Sequence, residues 1–157
     1  MTGVQTCALP ICDAPAGFDR EEYFSAVYEE FTKPGVWALY PETIGVLDAL
    51  VGRYRLCVLS NFDRRLKTVL AQLGVLERFA EIVISSEAGA DKPDPRIFEH
   101  ACARAGVMPH EALLVGDDPE CDVAGARNAG WHAFHVERPR MTLRDLLPAL
   151  SEGPRAP

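Results

Sequence analysis

No stretch of this sequence is long and apolar enough for a helix that crosses a bilayer, which takes about 20 such residues. Basic residues are in short supply: 16 Lys and Arg stand against 23 Asp and Glu, a formal net charge of −7. That balance argues against a general nucleic-acid surface and against binding to acidic membranes. The five cysteines, Cys7, Cys12, Cys57, Cys102 and Cys121, make no CxxC pair and no Cys/His spacing typical of zinc. An odd number at scattered positions is no disulfide framework and fits reduced thiols in a cytosol. The opening residues also lack the basic start and long apolar core of a secretion signal. A cytoplasmic protein is therefore expected, with neither nucleic acid nor membrane as partner.

What remains is a chain of 157 residues, 48% of them hydrophobic, enough for one domain with a real core. Its first residues, MTGVQTCALPI, have no usable periodicity and resemble a translated sequencing-adapter remnant. Residues 1–12 are accordingly expected to be a non-native or disordered leader, with natural sequence starting near Cys12 or Asp13; a genuine but disordered N-terminus is the alternative.

From Phe18 to Thr32 the pattern is helical, with Tyr23, Val27 and Phe31 on one stripe, Asp19 as a cap, and Pro34 and Gly35 as a stop. Trp37 and Tyr40 read as packing aromatics rather than a ligand cage. Pro41 opens a second helix through Val46, Leu47 and Leu50. Leu56 to Leu59 predicts a strand, followed by Ser60 and Asn61 and by a helix over Phe62 to Leu73. Ile82 to Ile84 predicts a strand, AGADKPDP a loop, and Pro95 the first turn of a helix through Ile97, Phe98 and Ala101. His132 to Val136 is the last predicted strand and Thr142 to Leu150 a terminal helix, after which residues 151–157 should fray. Alternating strands and helices imply an α/β fold with a mostly parallel sheet between two helix layers.

The most informative stretch is LLVGDDPECDVAGARNAG, Leu113 to Gly130. An apolar strand over Ala112 to Val115 ends at Gly116, and Asp117, Asp118 and Asp122 then lie at its carboxyl end, the edge where open α/β sheets place ligands. The following segment, with Val123, Ala126 and Gly130, is expected to pack closely as a helix, so Asp118 and Asp122 should stand one helical turn apart. Such acids repel unless a cation or basic group offsets them. An Asp before Pro119 and Glu120 is also an ordinary N-cap. Ser60 and Asn61 could likewise cap the next helix, and Lys92 could be a solvated loop charge. Together, however, these polar groups follow successive strands. A hydroxyl can hold a phosphoryl oxygen, a lysine can offset charge between a carboxylate and a transferring phosphoryl group, and acids can hold Mg²⁺.

The residues LSNFD at Leu59 to Asp63, DKPDPRIF around Lys92, and VGDD with Asp122 resemble the haloacid dehalogenase-like hydrolase superfamily, in its small dehalogenase-like group, over about Phe18 to Leu150. The resemblance implies a three-layer Rossmann-like parallel sheet at residues 41–150, with residues 13–40 as the remnant of a helical cap. It implies catalytic roles for Ser60, Asn61 and Lys92, and a Mg²⁺ site at Asp117, Asp118 and Asp122, with Asp118 or Asp122 sharing the metal or orienting Lys92.

The resemblance also implies a DxDGT-like nucleophile motif at the end of a first, central strand, and this sequence has none upstream of Ser60. Asp13 is followed two residues later by Pro15, which has no side-chain acid or base. The chain is therefore expected to be the C-terminal part of such a hydrolase, lacking the first strand. Its parent is expected to be a Mg²⁺-dependent phosphate monoesterase that works through an aspartyl-phosphate on a small phosphorylated metabolite; the chain itself is expected to be inactive. A 2-haloacid dehalogenase-type parent is one alternative, although the acid cluster would repel an anionic substrate. A non-catalytic binding or structural domain is the other.

Overall fold

The structure, a computed structural model, describes residues 19–151. The expected leader, Asp13, Phe18 and the tail from residue 152 lie outside the described residues.

Helix α1 (Arg20–Glu30) begins where Asp19 Oδ1 accepts hydrogen bonds from the Glu21 and Glu22 N–H groups at 2.9 and 3.0 Å. Helix α2 (Thr43–Leu50) starts two residues after Pro41 and buries Val46 and Leu50. Strand β1 (Cys57–Ser60) leads to α3 (Arg65–Gln72), and β2 (Glu81–Ile84) runs into a single helical turn, α4 (Ser85–Ala88). The expected start of α3 at Phe62 is delayed because Asp63 Oδ1 takes the Arg65 N–H at 3.0 Å. Helix α5 (Pro95–Ala105) has Asp94 as its N-cap and Pro95 at its first position, as the sequence predicts.

Strand β3 (Leu113–Gly116) is followed not by a regular α-helix but by a π-helical turn, Pro119–Ala124, before the short α6 (Gly125–Asn128). The Val123 N–H reaches back five residues to the Asp118 carbonyl at 3.1 Å. The Asp122 N–H also bonds the Asp118 carbonyl, at 3.0 Å, so the two acids stand one helical turn apart as expected, and the turn widens only at Val123. Strand β4 (His132–His135) and helix α7 (Leu146–Ser151) complete the described chain.

The fold is α/β with parallel pairing, but the strands form two sheets where the sequence predicts one. Strand β1 pairs with β2, Ser60 opposite Ile84; β3 pairs with β4, Gly116 opposite His135. Among the described residues, no ladder joins β1 to β3. The two sheets nevertheless share their helix layers. Leu59 of β1 and Leu114 of β3 pack on one cluster, built on Ile97, Phe98, Ala101 and Ala126; Leu56 and Val115 pack on another, built on Val46, Leu50 and Leu146. Alternation along each strand sends successive side chains to opposite layers.

Phe98 and Ile97 are fully buried, and Phe98 meets Trp131 edge-on with ring centroids 5.4 Å apart. In contrast, Val58, Leu59, Leu114 and Val115 are only half-buried. Strands flanked by helices on both faces normally bury such residues completely.

Candidate active site

The carboxyl ends of β1 and β3 and the loop after α4 supply the predicted site residues. Ser60 is the last residue of β1 and is half-buried. Next to it, the Asn61 amide makes a reciprocal pair with the backbone of Lys92: Asn61 Nδ2 donates to the Lys92 carbonyl at 2.9 Å, and the Lys92 N–H donates to Asn61 Oδ1 at 2.7 Å. Asn61 therefore fixes the lysine's backbone.

The Lys92 ammonium reaches across to β3. Its Nζ lies 2.5 Å from Asp122 Oδ1, with the two side chains 12% and 8% exposed. The other carboxylate oxygen, Asp122 Oδ2, accepts the N–H groups of Asp117 and Asp118, both at 3.1 Å. Asp122 thus has each oxygen committed, one to a cation and one to two backbone donors, which offsets the cost of burying its charge.

Asp118 is the N-cap of the π-helical turn: its Oδ1 accepts from Cys121 N–H at 2.7 Å and Glu120 N–H at 2.9 Å. These backbone donors, Cys121 first, hold the Asp118 carboxyl below its ordinary range. Capping and a site role are not exclusive, because Oδ2 takes no part in the cap. Asp117 presents its carboxylate to solvent. Burial pushes the neighbouring Cys121 thiol upward, and the nearby Asp118 adds to the shift.

Among the described residues, no three His, Cys, Asp or Glu side chains converge as a metal cluster. The predicted trio is divided: Asp122 serves Lys92 and the loop, whereas Asp117 and the second oxygen of Asp118 are the carboxylate groups left to face a cation. That donor set fits Mg²⁺, which commonly takes one or two protein carboxylates and completes its shell with water and phosphate oxygens.

Two further contributors were not singled out from the sequence. His135, opposite Gly116 in the register, places Nε2 3.2 Å from the Asp117 carbonyl. Its position at the end of a strand neighbouring the acidic one was the available signal. Gly125 lets α6 press on the lysine loop: a Cβ there would lie 3.0 Å from Pro93 Cβ and 3.1 Å from Phe98 Cζ. Lys92 is joined to Pro93 by a cis peptide bond.

The family model for haloacid dehalogenase-like hydrolases matches residues 10–130. The chain belongs to that family. It is 40% identical over 126 residues to human haloacid dehalogenase-like hydrolase domain-containing protein 3, covering 78% of this chain and 50% of that one. It is 41% identical over 150 residues to a phosphoserine phosphatase from Thermus thermophilus, covering 85% and 60%. An HAD phosphatase structure from Thermococcus onnurineus superposes with a TM-score of 0.72 at 30% identity, covering 81% of this chain and 64% of that one. The chain thus spans about half to three-fifths of the length of these curated relatives. No helix among the described residues is long and apolar enough to cross a membrane.

Proposed function

We propose that this chain carries the lysine and acid half of a Mg²⁺-dependent phosphate monoester hydrolase, and that it lacks the attacking carboxylate. The observation that carries the reading is the continuous path from Asn61 through Lys92 to Asp122 and the Asp117–Asp118 backbone, which ties the ends of two unconnected parallel sheets into one polar edge. A substrate phosphoryl group at that edge would meet the Ser60 hydroxyl and the Lys92 ammonium.

In this reading a further strand, ending in an aspartate, fits between β1 and β3. Its support is the absence of a ladder between them, the half-buried Leu59 and Leu114, and the absence of any Asp-x-Asp in the sequence. The aspartate oxygen attacks phosphorus, the ester oxygen leaves with its electron pair and is protonated, and water then hydrolyses the aspartyl-phosphate. Lys92, held by Asp122, steadies both the nucleophile and the charge on the transferring oxygens. Mg²⁺ held by Asp117 and Asp118 would supply charge neutralisation at the phosphoryl oxygens. The phosphatase names carried by relatives point the same way, toward small phosphorylated metabolites as substrates.

The test compares p-nitrophenyl phosphate hydrolysis by this chain and by the chain joined to its upstream reading frame, each with and without Mg²⁺. The expected result is turnover only in the extended, Mg²⁺-loaded protein. Turnover by the chain alone, lost in Asp117→Asn, would sink the claim that the nucleophile is missing. Metal-independent release of halide from a 2-haloacid by the extended protein would replace phosphoryl transfer with dehalogenation.

A further inference from the structure

Arg65, at the start of α3, holds two parts of the chain that are far apart in sequence. Its guanidinium lies over the ring of Tyr28 with 3.5 Å to the centroid, and 4.9 and 5.7 Å from the centroids of Phe31 and Phe62. Nη1 donates to the Tyr28 carbonyl at 2.8 Å, while Nε and Nη2 donate to the two Asp63 oxygens, the shortest bond being 2.6 Å. Tyr28 lies on α1 and Phe31 is its C-terminal cap. Phe62 and Asp63 belong to the segment that leaves β1 just after Ser60 and Asn61.

That segment is held on its other sides as well. The Phe62 carbonyl accepts from Ser85 Oγ at 3.2 Å and from Ser86 N–H at 3.3 Å. The Phe62 ring meets Trp37 edge-on at 6.0 Å and Phe31 at 6.4 Å. Asn61, one residue back, is the amide that fixes the Lys92 backbone. Contacts therefore run without a break from α1 through Arg65 and Phe62 to Asn61 and Lys92.

We propose that Arg65 is a positioning residue that makes the seating of α1 and the conformation of the Ser60–Asp63 segment one event, so that α1 governs how firmly Asn61 holds Lys92. Only a planar guanidinium can grip both oxygens of Asp63, bond the Tyr28 carbonyl and offer its face to a ring at once; an ammonium cannot. When α1 lifts, the Phe62 ring loses Phe31 and Arg65 loses the Tyr28 ring and carbonyl, so the segment gains alternatives it lacks when α1 is seated. The functional meaning of this coupling rests on the reading of Ser60, Asn61 and Lys92 as phosphoryl-contacting groups, whereas the coupling itself does not.

Residue-resolved amide exchange on the purified chain tests it, with three variants. Tyr28→Leu removes the ring face from a half-exposed position on α1 and leaves Asp63 untouched; Tyr28→Phe keeps the face; Arg65→Lys keeps the charge. Tyr28→Leu and Arg65→Lys are expected to speed exchange of the Ser86 and Lys92 amides by about three- to tenfold, the scale of one cation–π contact. Tyr28→Phe is expected to exchange at the wild-type rate, and the Val136 amide, bonded to Gly116 in the other sheet, is expected to be unaffected in all three. Faster exchange confined to α1 would show that Arg65 is only a local clip and overturn the proposal. A uniform rise that included Val136 would overturn it too, by showing a general loss of stability. Inorganic phosphate titrated into the wild-type chain reads the other claim separately, through shifts of the Ser60 and Asn61 amides.

Discussion

Gly116 and Asp122 are packed so closely that no side chain fits between them. A Cβ built on Gly116 would overlap the Asp122 carboxylate and lie 2.6 Å from its Cβ. The glycine is required here because the carboxylate folds back over the end of β3 to take the Asp117 and Asp118 N–H groups. That position is also what aims Asp122 at Lys92.

Gly116→Ala is therefore expected to displace Asp122 and free the lysine. Overpacking of this kind costs about 1–3 kcal/mol, measurable as a lower urea midpoint. The accompanying sign is faster acylation of the Lys92 amine, read by peptide mass spectrometry. An alanine variant with wild-type stability and lysine reactivity would contradict the close packing.

The Lys92–Asp122 pair itself yields the second prediction. Asp122→Asn keeps an oxygen for the two backbone N–H groups but leaves a mostly buried ammonium without its counter-ion, at a cost of about 2–3 kcal/mol. Lys92→Met alone leaves the carboxylate with its backbone donors and should cost less. The double variant should be more stable than the sum of the two single losses implies, because neither charge is then stranded. Strict additivity of the unfolding free energies would show that the two side chains do not interact in solution.

How much of this was legible in the sequence depends on how local the cause is. Pro95 at the start of α5 and the apolar run ending at Gly116 are local signals, and both elements form where the sequence predicts them. Their placement at one polar edge with Ser60, Asn61 and Lys92 followed from strand order and family resemblance. The π-helical turn was not legible, since it arises from a contest for the Asp118 carbonyl that residue types do not announce. The division of labour among the acids was legible in part. The Asp before Pro119 reads as a cap and forms one, whereas geometry is needed to choose Asp122 over Asp118 as the partner of Lys92 and to leave Asp117 facing solvent. The role of Arg65 has no local signal, because the rings that enclose it come from α1 and the β1 exit, which tertiary packing alone brings together.

Acid should weaken the fold through its low-titrating carboxyls, among them two partly buried ones paired with arginine. Arg65 holds Asp63, and Arg138 holds Glu42, below the ordinary carboxylate range, in each case chiefly by side-chain hydrogen bonds. A carboxyl whose pKa is lower folded than unfolded contributes stability above its unfolded pKa and loses it as pH falls through the folded value. Urea midpoints should thus be flat above about pH 5 and fall below about pH 4. Arg138→Met should make the decline shallower, since Glu42 would then titrate more nearly as it does unfolded. A decline of unchanged steepness would remove Glu42 from the account.

Cation binding separates the acids by role. Because Asp117 faces solvent and Asp118 keeps one oxygen outside its cap, Mn²⁺ added as a probe for Mg²⁺ should broaden the amide resonances of residues 116–118 in this chain. Asp117→Asn should weaken that effect by about tenfold, the scale of one lost carboxylate ligand at a hard-cation site. Asp122→Asn should weaken it less, since its oxygens are occupied by Lys92 and backbone donors. Broadening that survives Asp117→Asn but disappears in Asp122→Asn would reverse the assignment.

Lys92 should carry catalytic weight once an attacking carboxylate is supplied. In this chain Lys92 is tethered at both ends, its backbone by Asn61 and its ammonium by Asp122, so its charge is preorganised rather than recruited on binding. Charge fixed in advance acts most strongly where negative charge develops, on the transferring phosphoryl oxygens. In the chain joined to its upstream reading frame, Lys92→Ala should therefore lower kcat by about 10²–10³-fold, the range for removing one preorganised electrostatic group, with a much smaller change in KM. Asn61→Ala should fall between the wild type and Lys92→Ala, because it loosens the lysine without removing it. Equal losses in kcat and in unfolding free energy across the two variants would mean that the lysine only holds the sheets together. A large rise in KM at constant kcat would mean that it binds the ground state and the transition state alike.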